Sequence, residues 1–67
     1  MEKIIVETSY VRAALKGDLE KIPGVKSVEG ELLDKRFTVT AEGDATEIDG
    51  IVNQIKALPG VASATIQ

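Results

Sequence analysis

The chain has no cysteine and no histidine, and its only methionine is Met1. Apart from that one thioether, the soft and borderline donors used for zinc, copper or iron are absent, which argues against a transition-metal carrier. Without thiols, neither a disulfide framework nor a thiolate site can supplement the core. Without imidazole, a Ser, Thr or Lys nucleophile lacks its usual base, so no catalytic residue is nominated and an enzyme is not expected. Basic residues are in deficit: 8 against 11 acidic ones give a net charge of -3, which repels a phosphate backbone and makes nucleic acid an unexpected partner. Long apolar runs are missing as well. Ile4-Ile5-Val6, flanked by Lys3 and Glu7, is far short of a signal-peptide core or a membrane span, so no membrane partner is expected and a cytoplasmic location is.

What is present is the composition of a globular protein, with 43% hydrophobic and 28% charged residues. A length of 67 residues allows one domain, residues 1–67, whose single core buries roughly 60% of the unfolded chain's surface.

Ile4, Ile5 and Val6 form a β-branched run that predicts a buried strand over residues 2–8. Thr8 or Ser9 is then placed to cap a helix, for which Val11, Ala14, Leu15, Leu19 and Ile22 supply the apolar spacing. Gly17 weakens that helix and Pro23-Gly24 ends it. Val25 to Leu33 reads as a strand, with Val28 and Leu32 on one face, Glu29 and Glu31 on the other, and Gly30 marking a bulge or a close approach. Asp34-Lys35 turns the chain into a strand where Phe37, Val39 and Ala41 alternate with Arg36, Thr38 and Thr40.

Asp44 and Glu47 form a capping-box pattern ahead of Ile48, Ile51, Val52, Ile55 and Leu58, a strongly amphipathic helix. Pro59-Gly60 stops it, and Val61 to Ile66 is the last strand. The order βαββαβ, with Ile22-Pro23-Gly24-Val25 echoed by Leu58-Pro59-Gly60-Val61, predicts an α+β ferredoxin-like sandwich: a four-stranded antiparallel sheet with two helices on one face. The other face, carrying Glu29, Glu31, Arg36, Thr38 and Thr40, is left open to solvent or a partner.

Several residues admit two readings. Asp44, Glu47 and Asp49 are the tightest carboxylate cluster, but they lie at a helix start and suit capping better than a calcium loop. Ser9 reads as a cap before it reads as a nucleophile. Acylphosphatases share this fold and use an arginine in the first strand-helix loop, where Arg12 stands, yet their glycine-rich loop is missing and Asn53 falls within the second helix. Lys35-Arg36-Phe37 faintly resembles an RNA-recognition motif, although Phe37 falls on the core side and has no second aromatic beside it. Tyr10 either covers the end of the core or belongs to a binding surface.

From Val11 to Leu58 the chain resembles the heavy-metal-associated domain of copper chaperones, mercury-binding proteins and metal-pumping ATPases. The resemblance rests on Leu19 to Val28, on Phe37-Thr38-Val39 and on Glu47-Ile48 through Ile55. In that family a Met-x-Cys-x-x-Cys loop holds the metal, and Thr8 and Val11 stand here where its two cysteines would be. The ending Leu58-Pro59-Gly60-Val61 is more similar to ligand-sensing and assembly domains of leucine-responsive-type regulators, or to small chaperones that bind export signals. Through Ser63 it also resembles subtilisin-type propeptides and their inhibitor relatives. The resemblance implies a binding module without thiolate ligands or cofactor that acts through protein contacts. Its binding surface is either the loop of Thr8, Ser9, Tyr10, Val11 and Arg12 or the open sheet face. The alternatives are a self-associating domain, as a homodimer that senses a small ligand or assists assembly, and a propeptide-like protease inhibitor.

Overall fold

Ile4 and Val6 are fully buried while Ile5 between them is only partly so, as the period-2 geometry of a strand with one covered face requires. They belong to β1 (Glu2–Thr8), in a computed structural model that describes residues 1–10, 12–30 and 35–67. β3 (Arg36–Ala41) runs antiparallel to β1 and buries Phe37, Val39 and Ala41 on the same side. β2 (Val25–Glu29) pairs antiparallel with β3, and β4 (Val61–Ile66) pairs antiparallel with β1, giving the sheet order β2-β3-β1-β4.

The helices α1 (Leu15–Glu20) and α2 (Ala45–Lys56) send Leu15, Leu19, Ile48, Ile51, Val52 and Ile55 into one core cluster with Ile4, Val6, Phe37 and Val39. Both therefore cover the same side of the sheet, and the fold is ferredoxin-like α+β. Burial of each Leu or Ile contributes about 1.5 to 3 kcal/mol, so the helix faces carry much of the stability of so small a domain.

α2 begins with a complete capping box: the Asp44 carboxylate accepts the Glu47 backbone N–H at 2.8 Å, and the Glu47 carboxylate accepts the Asp44 backbone N–H at 3.1 Å. Two of the four orphan amides of the helix start are satisfied in this way. The echoed tetrapeptides form matching turns. Val25 N–H donates to the Ile22 carbonyl at 3.1 Å and Val61 N–H to that of Leu58 at 3.4 Å, with Gly24 at φ +96° and Gly60 at φ +91°. Proline second and a positive-φ glycine third is the signature of a type II turn, which hands each helix to the next strand.

Two expectations about boundaries are corrected. α1 starts at Leu15 rather than near Val11, and its N-cap is Ala14, which makes no side-chain hydrogen bond. Thr8 and Ser9 do not cap it, because Thr8 ends β1 and Ser9 N–H continues toward β4, donating to the Gly60 carbonyl at 2.8 Å. β2 stops at Glu29 instead of running to Leu33. Gly30 follows it, and an added Cβ there would lie 2.6 Å from the Arg36 carbonyl oxygen, so the expected close approach is real. Glu31, Leu32, Leu33 and Asp34 lie outside the described residues, as does Val11.

Candidate functional site

The first candidate surface lies where β1 ends and β3 and β4 begin. Thr8 N–H donates to the Lys35 carbonyl at 2.9 Å and Ser9 N–H to the Gly60 carbonyl at 2.8 Å, so the loop leaving β1 is tied on both sides. Arg12 adds a third tie. Its Nε donates to the Pro59 carbonyl at 2.9 Å, and its Nη2 meets Asp18 Oδ2 at 2.8 Å with both side chains partly buried. Engaging two acceptors through two nitrogens of the planar guanidinium fixes the orientation of the group, which a lysine could not do.

Tyr10 sits over this frame at 50% exposure. A Cβ added to Gly60 would stand 3.5 Å from Tyr10 Cζ, so the ring lies against that turn. Of the loop residues singled out in the sequence, Thr8, Ser9, Tyr10 and Arg12 come together here; Val11 lies outside the described residues. Pro59 and Gly60 belong to the same site and were legible only as a helix stop, since the contact from Arg12 spans 47 positions. Arg12 is not poised for an anion, because Asp18 already neutralises it.

The second candidate is the uncovered sheet face. Cross-strand partners share a face, and the register puts Lys3 beside Thr40, Ile5 beside Thr38 and Glu7 beside Arg36. On the other side of β1, Ile5 neighbours Thr65 and Glu7 neighbours Ser63. Thr38 and Thr40 are partly buried; Glu29 and Arg36 are exposed. Lys3, Glu29, Gly30, Arg36 and Thr38 line an open groove of about 390 Å³. The Arg36 guanidinium meets Glu7 at 3.4 Å with both side chains more than half exposed, a contact worth little in water. Glu31 lies outside the described residues. The contributions of β1 and β4 to this face were missed because only a known register assigns them to it.

No family model, curated protein or solved structure matches the chain. Its chemistry is thus read from the described residues alone. Among them no polar or charged residue is buried, and no group of three or more His, Cys, Asp or Glu residues is placed to hold a metal ion. Asp44 and Glu47 are engaged in the capping box, and Asp49 lines a cleft of about 260 Å³ with Glu2, Gly43, Ala45, Ile48 and Ile66. No helix of the described residues is long and apolar enough to cross a membrane.

Proposed function

We propose that the chain is a non-catalytic binding module that meets a partner protein through the Thr8–Arg12 loop, with Tyr10 as its anchor. The observation that carries this reading is a half-exposed aromatic set on a loop tied to Lys35, Pro59, Gly60 and Asp18. An aromatic held in place loses little conformational freedom on binding, and tyrosine combines an apolar ring with a polar tip, properties that place it among the residues dominating interface energetics. The partner surface it suits is an apolar pocket with a hydrogen-bond acceptor at its base. The sheet face is the weaker candidate, since its groove is open and its charges are solvated.

The experiment is a quantitative comparison of proteins retained from native extract by three immobilised chains: the wild type, Tyr10→Ala and Thr40→Lys. The reading expects a protein retained by the wild type and by Thr40→Lys but reduced at least about tenfold with Tyr10→Ala, as for an interface hot spot. Retention that ignores Tyr10→Ala and collapses with Thr40→Lys transfers the site to the sheet.

A further inference from the structure

The two edges of the sheet are unlike. β2 carries Lys26 and Glu29, Lys26 is paired with Glu42 at 3.0 Å, and the register shifts between Val25 and Ser27. Charge and irregularity of this kind discourage a second strand from adding. β4, at the opposite edge, reads Val61-Ala62-Ser63-Ala64-Thr65-Ile66, with no charge and no proline. Its irregularity is confined to the pairing of Val61 with Thr8, and Ser63 to Ile66 face β1 in regular register. Ile66 is also 41% exposed.

The direction of the unused backbone groups follows from one hydrogen bond. Gln67 N–H donates to the Lys3 carbonyl at 2.8 Å, so Gln67, Thr65 and Ser63 turn their backbone groups toward β1. By the alternation of an antiparallel ladder, Ala64 and Ile66 turn theirs outward.

We propose that β4 is the interface of a homodimer, in which a second copy of this chain adds its own β4 antiparallel about a two-fold axis at Thr65. Ala64 of each copy then stands opposite Ile66 of the other and exchanges both backbone hydrogen bonds with it. Thr65 faces its own counterpart on the open side as a non-hydrogen-bonded pair. This register uses only the regular part of the strand, keeps both helix layers on one side of a continuous eight-stranded sheet, and covers part of Ile66. An isologous contact of this kind closes at two, because the β2 edges left outside are the guarded ones. A contact one strand wide belongs to the small end of interface sizes, so the association is weak and concentration-dependent.

The register is tested by single cysteines in a chain that has none of its own. Non-hydrogen-bonded antiparallel partners have Cα atoms about 4.5 Å apart, within disulfide reach, whereas Ser63 lies four positions, roughly 13 Å, from its counterpart. Under mild oxidation at high protein concentration, Thr65→Cys is expected to form a covalent dimer at least tenfold faster than Ser63→Cys. The wild type is expected to sediment as a monomer-dimer equilibrium that does not grow further. Both substitutions are at exposed positions, and circular dichroism of the reduced variants confirms their fold. A wild type that stays monomeric at about 1 mM, assembly beyond two copies, or equal cross-linking of the two variants overturns the proposal.

Discussion

Arg12 Nε donates to the Pro59 carbonyl at 2.9 Å, joining the loop after the first strand to the turn before the last. The same guanidinium reaches Asp18 at 2.8 Å, so one side chain braces β1, α1 and β4 at the end of the sheet where Tyr10 is displayed. Arg12→Ala is expected to lower stability by about 1 to 2 kcal/mol, from one charge-assisted hydrogen bond and one partly buried ion pair. Arg12→Lys should restore less than half of that, because an ammonium group cannot hold both acceptors in one plane. Urea denaturation measures both, and a loss below about 0.3 kcal/mol for Arg12→Ala would remove the brace from the account.

The capping box gives a second stability prediction. Asp44→Ala removes the acceptor for Glu47 N–H and a negative charge at the helix start, and should cost about 0.5 to 2 kcal/mol. An unchanged melting curve would mean that solvent replaces the carboxylate without loss.

The matching turns differ in their surroundings, and that difference is measurable. A Cβ at Gly60 meets the Tyr10 ring only at ordinary contact distance, whereas one at Gly24 would lie 2.8 Å from Ile51 Cδ1 and 3.4 Å from the Glu42 carbonyl oxygen. Gly60→Ala therefore carries the left-handed backbone cost alone, about 1 to 2 kcal/mol. Gly24→Ala adds overpacking against a buried side chain, about 1 kcal/mol or more. Equal losses in the two variants would contradict the packing described at Ile51.

Titration with Cu(I) or Zn(II) at micromolar concentration is expected to give no stoichiometric binding, since carboxylates alone are poor ligands for either ion. A saturable site of one ion per chain, followed by calorimetry, would reverse that expectation and bring the loop's resemblance to a metal-binding loop back into play.

The amphipathic spacing of Ile48, Ile51, Val52 and Ile55 and the alternation of Phe37, Val39 and Ala41 were legible because each element buries one face, and periodicity reports burial. The antiparallel four-stranded arrangement with both helices on one face followed from connection rules once the elements were known. The start of α1 was not legible. Ser9 looks like a cap in isolation, yet its N–H and hydroxyl both turn to the Gly60 carbonyl, at 2.8 and 3.4 Å. With that cap diverted and Gly17 inside the helix, only six residues remain helical. The frame beneath Tyr10 was hidden for the same reason: its acceptors, Pro59 and Gly60, lie in a turn that the sequence marks only as an ending. The open face was half legible, β3 by its alternation and β1 and β4 only through register.

Site-specific photo-cross-linking tests the central claim most directly. A benzophenone amino acid replaces Tyr10 in one chain and Thr38 in another, and both are irradiated in the same native extract. A discrete protein adduct from position 10, with none or a much weaker one from position 38, is the predicted result. An adduct formed from position 38 alone would contradict recognition through the loop.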